Sequence, residues 1–318
     1  MLLAQRNPNY GRGTHSITED ATEPDTEAFS GWLEAFIEKG SQVLPRPPTV
    51  ALEIHELSRR ADTSIEQIAK LLAREPMLAA RVLRLANSPL YRGEMPSATL
   101  KQALTRVGLA AARDIVMEAA MKMTVIRAEG MNKTLEQVRR HSAAVAWVSR
   151  AVARNTCLEA ENAFLIGLLH DLGMSIGLIG LSEYLKANKL PVQLSAAWWL
   201  VVDQLHQSIG RKVLEQWQVG PAIALAVGNH HHLMVGGFPH PSVAVLLVAE
   251  NIVTDQGWDI RPMTEGEDDI AFVHGAEKVS PDETDRALSA LLLTRKHYDQ
   301  VRDDAKPMLA TLAGQFKD

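Results

Sequence analysis

Histidine carries the chemical signal in this chain: there are 11, and several stand where a leucine would be expected. After Thr134, the residues Val138, His141, Val145, Val148 and Val152 recur at spacings of three and four. His141 therefore falls on the apolar stripe of a helix. Val202, His206, Ile209, Val213 and Trp217 keep the same rhythm. In the segment opened by Pro221, Ile223, Val227 and His230 share a face, with His231 about 100° round from it. His170-Asp171 closes an apolar run, and Gly173 is placed to stop that helix. A buried Asp171 is costly without compensation, so it requires an arginine, backbone donors or a metal. Helical bundles hold metals with side chains from facing helices. An all-histidine and carboxylate set suits Fe, Mn, Zn or Ni, as one ion or two. A single inward histidine is usually a satisfied core residue. Spacing alone leaves both readings open: a metal site, or a polar network closed by protein hydrogen bonds.

The elements that must position these residues read as helices. A short helix is expected over Phe29–Ile37, followed by a stiff stretch at Leu44-Pro-Arg-Pro-Pro48, where three prolines exclude helix. Val50–Arg60 is the next helix. Thr63-x-x-Glu66 and Thr99-x-x-Gln102 are capping boxes. Pro76 opens a helix that runs to about Asn87, and Gly108 divides two more. Further helices are expected at Thr134–Asn155, Glu159–Leu172, Ser175–Ala187, Leu194–Leu205, His206–Gln216, Pro221–His231 and Val243–Thr254. Val243–Val248 alone has the look of a strand, but its apolar continuation favours helix on length. No Asn-Gly hairpin or regular alternation occurs. Helical pattern returns over Glu283–Gln315, with a break expected at Pro307.

Composition sets the outer limits. The 318 residues are 46% apolar and 22% charged, with a net charge of −5 and a pI near 6.1. This is an ordinary globular composition, long enough to build a core without staples. It disfavours a nucleic-acid coat or a polybasic membrane surface. Cys157 is the only cysteine, so an intramolecular disulfide and a Cys-x-x-Cys zinc site are both excluded. A reducing cytoplasm fits best. The opening Met-Leu-Leu-Ala-Gln-Arg-Asn-Pro lacks the apolar core of a signal peptide. Phe164–Leu181 is mostly apolar, but His170 and Asp171 at its middle argue for two buried helical pieces joined at Gly173, not a membrane span.

The ordered series His141, His170-Asp171 and later histidines resembles the HD superfamily of metal-dependent phosphohydrolases. The span from Leu44 to Val253 looks more specifically like an HDOD domain, the HD-related output domain of bacterial signalling proteins. Leu44-Pro-x-x-Pro, Ile65-Glu-Gln-Ile-Ala69, the run Glu75-Pro-Met-Leu-Ala-Ala-Arg-Val-Leu-Arg-Leu-Ala-Asn-Ser88 and Gln102-Ala-Leu-x-x-Val-Gly-Leu109 carry the likeness. So do His141-Ser, Gly167-Leu-Leu-His-Asp-Leu-Gly173, and His206-x-x-x-Gly210 through Trp217 to His230-His231. The related HD-GYP phosphodiesterases are similar in ligand order. That similarity implies His141, His170, Asp171, His206, His230 and His231 as metal ligands. The last ligand of the pattern, an Asp in an Ala-Asp pair, is Glu250 of Ala249-Glu250 here. Three departures count against hydrolysis. Gln137 replaces an acid used before the first histidine by some relatives, Met174 replaces the phosphate-holding lysine, and no Gly-Tyr-Pro motif occurs. Arg139, Arg140 and Arg211 are other candidates to meet a phosphate, but nothing in the sequence aims them at the site.

Two readings of another class compete. Ile65–Leu72, a turn at Arg74-Glu75, and Pro76–Ala86 have the outline of a helix-turn-helix. The second helix offers Met77, Leu78, Val82, Leu83 and Leu85 rather than polar groups for base edges, so it reads as packing. The acidic 264–286 segment reads as a loop that could dock a partner. Trp198-Trp199 could line a pocket, but core packing is the plainer role for one of them, because both cannot face one side of a helix. No Walker motif and no Gly-x-Ser-x-Gly elbow is present.

The expectation is an all-α, two-lobed HDOD protein of the bacterial cytoplasm. It would have a flexible tail (1–27), an HDOD domain (28–260) and a C-terminal extension with the acidic loop (261–318). Within the domain, an N-terminal helical lobe (28–126) packs on an HD-like lobe (133–260). The expected role is signal output through a signalling protein partner, gated by a divalent metal or a nucleotide or phosphodiester ligand. Efficient turnover, nucleic acid and membrane are not expected. The competing reading is a metal-dependent phosphodiesterase acting on a nucleotide or cyclic dinucleotide.

Overall fold

Local capping decides where several helices begin. The computed structural model describes residues 25–39, 49–58, 60, 62–88, 91, 95–123, 127–217, 219–260 and 279–314. The Asp25 side chain accepts from the Ala28 N–H at 2.9 Å and opens α1 (Thr26–Glu38). The first lobe then runs α2 (Thr49–Leu57), α3 (Ile65–Leu72), α4 (Pro76–Ala86), α5 (Leu100–Val107) and α6 (Leu109–Met123). Thr99 and Gln102 form the expected capping box of α5, and Gly108, at φ 84°, separates α5 from α6. The second lobe comprises α7 (Asn132–Ala153), α8 (Ala160–Leu169), α9 (Leu172–Ala187), α10 (Ala196–Trp217) and α11 (Pro221–Val227). A two-stranded hairpin follows, β1 (Met234–Val235) and β2 (Phe238–Pro239), and then α12 (Pro241–Asp255). The chain ends in α13 (Pro281–Ala290) and α14 (Arg295–Gly314).

The packing order makes the second lobe the structural centre. There α7 lies on α8, α9 on α10, and α12 on α7, while α11 bridges α8, α10 and α12. In the first lobe α2 packs on α3 and α6, and α4 on α5 and α6. One continuous apolar core runs through both lobes. Helix α1 sits on α9 and α10, on the second lobe, although it precedes the first in sequence. Phe29 is fully buried there, with its ring edge against Tyr184 and Trp198. Trp199 is also buried, so each member of the tryptophan pair has a packing role. The C-terminal helices wrap the same lobe, α13 on α12 and α14 on α7.

Helix α6 meets its neighbours through buried charge. Asp114 lies 2.6 Å from Arg150 Nη1 on α7 and 3.3 Å from Arg113 Nε. Glu118 accepts from the Trp147 indole N–H at 3.1 Å, and Arg81 of α4 stands 3.6 Å from it. Arg81 is thus turned to a protein carboxylate. Leu78, Val82 and Ala86 of α4 are fully buried, so the packing reading of that helix holds over the DNA-binding one.

Several expected boundaries move. The α3 box is Ser64 with Gln67, one residue later than Thr63 with Glu66. The Thr63 hydroxyl instead donates back to the Leu57 carbonyl. Leu194–Leu205 and His206–Gln216 are one helix, α10, because no breaker stands between them. Helix α11 ends at Val227, so His230 and His231 sit on the turn beyond it. The hairpin was not anticipated; Gly236 and Gly237 supply its two positive φ values. The C-terminal break falls at Leu291–Thr294, and Pro307 lies inside α14. Part of the acidic 264–286 segment, from Pro281 on, is the start of α13; residues 264–278, the stretch at Leu44–Pro48 and residues 1–24 of the tail lie outside the described residues. Within the apolar stretch Asn162–Ala187, the most apolar 18-residue window has a mean hydropathy of 1.8 and is 94% buried in the protein. It is broken at His170-Asp171, not at Gly173.

Candidate metal centre

Five elements deliver the candidate ligands to one place. His141 comes from α7, His170 and Asp171 from the break between α8 and α9, and His206 from the middle of α10. His230 and His231 come from the turn after α11, and Glu250 from α12. Two groups of metal-competent atoms result: His141, His170 and Asp171, and His206, His230 and His231, with each set's ligand atoms within 4.8 Å of one another. Asp171 lies between them. Its Oδ2 is 3.2 Å from His170 Nε2 and 3.9 Å from His141 Nε2. Its Oδ1 is 3.7 Å from His230 Nε2 and 3.8 Å from His206 Nε2. Glu250 Oε1 reaches within 3.6 Å of His170 Nε2, so the longer carboxylate does extend into the site.

Close helix contacts set these distances. A Cβ at Gly173 would lie 1.8 Å from the His206 carbonyl oxygen and 2.8 Å from the Gly210 nitrogen. Gly173 is therefore not a stop signal: it sits in the first turn of α9 and lets α10 approach, which brings His206 to Asp171. Gly167 does the same between α8 and α7, where a Cβ would meet Ala146 Cα at 2.8 Å.

Backbone carbonyls then orient the rings. Nδ1 of His170 faces the Gly167 carbonyl at 2.8 Å and Nδ1 of His230 the Val227 carbonyl at 2.7 Å. Nδ1 of His206 faces the Asp203 carbonyl and Nδ1 of His141 the Trp258 carbonyl. A carbonyl only accepts, so Nδ1 carries the proton in all four rings. In the neutral ring the Nε2 lone pair is then left for a ligand role. His206 Nε2 stands 3.1 Å from His230 Nε2 and 3.2 Å from His231 Nε2. Two nitrogens held at about 2.1 Å by one zinc-sized ion stand roughly 3.0–3.4 Å apart, for right-angled to tetrahedral geometry. The residues therefore fit a metal.

Burial is extreme for such polar groups. Asp171 and His230 are 0% exposed, and His170 and His206 are 1% exposed. Only His231 is half-exposed. Burial works against the His170 cation, but Asp171, Glu250 and the Gly167 carbonyl outweigh it and hold this histidine above its ordinary pKa. Burial pushes His230 far below the ordinary histidine range, and repulsion from His231, His206 and His170 adds to it.

The other expected residues stand apart. Met174 is fully buried and offers no charge. Gln137 belongs to neither group. Arg139 pairs with Glu136, Arg211 with Glu215 at 2.9 Å, and the Arg140 guanidinium lies 4.3 Å over the Trp258 ring. Trp258 and Asp203 were missed by the sequence reading. Their part is played by backbone carbonyls, which no residue type announces.

A helical two-lobed fold thus surrounds a buried His/Asp cluster. The HDOD domain matches residues 44–233, more than half of the chain, and the chain belongs to that family. An HDOD domain protein of unknown function from Geobacter sulfurreducens has a similar structure, with a TM-score of 0.64 at 20% identity, covering 92% of this chain and 99% of that one. A protein of Shewanella amazonensis SB2B, provisionally described as a metal-dependent phosphohydrolase, gives 0.58 at 19% identity over 88% of this chain and 99% of its own. A provisionally described signal transduction protein of Marinobacter aquaeolei VT8 gives 0.60 at 16% identity over 92% of this chain and 66% of its own. These likenesses are likenesses of fold. In sequence, an uncharacterized protein of Treponema pallidum (strain Nichols) is 22% identical over 63% of this chain, which spans 40% of that protein's length.

Proposed function

We propose that this HDOD protein is a bacterial signal-output protein that acts through contacts with a signalling protein partner and is gated by divalent metal in the His/Asp pocket. The observation that carries it is the meeting of His206 and His230. Both spend the Nδ1 proton on a carbonyl, so two Nε2 lone pairs face each other at 3.1 Å. That arrangement suits a shared cation, and burial of His230 disfavours a proton on that ring. In this reading His141, His170 and Glu250 would hold a first ion and His206, His230 and His231 a second, with Asp171 between the two groups. The donor set admits Fe, Mn, Zn or Ni. Such ions supply a lowered water pKa and a polarised phosphoryl oxygen.

Three features favour gating over turnover. Four of the ligands are at most 1% exposed, Met174 replaces a phosphate-holding lysine, and the nearby arginines are engaged elsewhere. The reading places the protein in the cytoplasm and gives nucleic acid and membrane no part. The second reading, a metal-dependent phosphohydrolase acting on a nucleotide or cyclic dinucleotide, is favoured by the completeness of the ligand set. Elemental analysis of tag-free protein separates the cases. About one to two equivalents of metal are expected, with loss in Asp171→Ala and His206→Ala. Protein that takes up none of the four metals overturns the proposal. Cleavage of cyclic dinucleotides at ordinary enzyme rates, lost in Asp171→Ala, transfers support to the second reading.

A further inference from the structure

The four oriented histidines do not owe their orientation to the same source. His170, His206 and His230 each donate Nδ1–H to the carbonyl three residues earlier, on Gly167, Asp203 and Val227. Such a contact comes with the local backbone. His141 instead donates to the carbonyl of Trp258, 117 positions away, at 2.8 Å.

The end of α12 delivers that carbonyl. Helix α12 stops at Asp255, Gln256 caps it, and Gly257 takes φ 77°. The Gly257 N–H bonds the Thr254 carbonyl at 3.0 Å and the Trp258 N–H bonds the Val253 carbonyl at 3.2 Å. These two bonds and the left-handed glycine make a Schellman motif, which turns the chain back over the helix. The Trp258 side is then fixed from α7. The indole is 6% exposed, with the Arg140 guanidinium 4.3 Å over its ring. Arg140 thus stacks on the ring while its neighbour His141 bonds the same residue's carbonyl.

We propose that Trp258 is a positioning residue for the first metal ion: gripped at its ring by Arg140, it aims His141 at Asp171 through its carbonyl. The inference rests on the metal reading above and adds a division of labour to it. The second ion's ligands His206 and His230 are set by their own backbone. The first ion depends on a tertiary contact and weakens when that contact loosens.

Two measurements test this, on full-length protein. Long-range nitrogen NMR of the metal-free chain reads the His141 tautomer, expected as Nδ1–H. Metal titration with Zn or Mn then reads the two affinities. Trp258→Ala is expected to weaken the first ion by about 10–100-fold and leave the second unchanged, as loss of an outer-shell partner does. Arg140→Ala, at an exposed position, gives a smaller loss of the same ion, and Trp258→Phe restores most of the affinity. Should Trp258→Ala fail to fold, Arg140→Ala and Trp258→Phe carry the comparison. An Nε2–H tautomer at His141, unchanged affinities, or equal loss of both ions overturns the assignment. If the wild type takes up no metal, the metal reading falls, and the tautomer in wild type against Arg140→Ala still decides the role of Trp258.

Discussion

Two buried polar clusters lie along α7, and they are closed in opposite ways. Near the α6 contact, Asp114 is met by Arg150 and Arg113, and Glu118 by Arg81 and the Trp147 indole. Beside it, Asp171 is met by His141, His170, His206 and His230. The first cluster brings permanent cations to its carboxylates. The second brings rings whose Nδ1 protons are already committed to carbonyls and whose Nε2 atoms face the carboxylate. Burial alone therefore does not mark a functional site. The kind of group offered to a buried carboxylate separates the two: arginine ties helices together, while oriented imidazole is the kind of group that could hold an ion.

The largest expected effect tests the arginine side. Arg150→Ala strips Asp114 of its closest partner and is expected to cost about 3–5 kcal/mol in urea unfolding. Metal content should stay at the wild-type level; a parallel loss of metal would show that the two clusters act as one. Gly173→Ala comes next and addresses the histidine side. Its Cβ has no room against the α10 backbone, so about 1–3 kcal/mol of stability is lost. The second ion is expected to weaken more than tenfold, because His206 moves away from Asp171. Unchanged metal affinity would show that the glycine serves packing only.

The smallest effect concerns pH. Burial pushes the Asp114 carboxyl up to about 6, against the pull of Arg150 and Arg113, from an ordinary 3.8. An acid raised in the folded state contributes stability that is fully present below its unfolded pKa and lost as pH rises through the folded one. Stability should therefore fall between about pH 4 and 6 on account of this group. Denaturant melts of wild type and Asp114→Asn across that window should differ in slope, with the variant flatter. Parallel curves would mean that the arginines hold Asp114 near its ordinary value.

Much of this was legible in the sequence, for a physical reason. A histidine on an apolar stripe is visible because periodicity fixes its face, and His141 and His206 are buried as that face requires. The all-α class followed from the same periodicity. Other features had no residue-level signal. Leu205-His206 carries no break, and α10 runs straight through it. Gly173 has the look of a terminator, yet its missing Cβ serves a neighbour distant in sequence. The Gly236-Gly237 pair did carry a hairpin signal, as did Gly257 for the cap of α12. None of these three glycines, though, says what the turned chain will reach.

The span from His141 to Trp258 also bears on how the protein is made. Synthesis of the intervening 117 positions takes on the order of ten seconds at ordinary elongation rates. Within that interval α8 through α11 are synthesised before Glu250 and the Trp258 carbonyl. His206, His230 and His231 can gather before the first ion has its full shell. On the metal reading, the growing chain therefore presents a half-built site before its last carboxylate and carbonyl arrive.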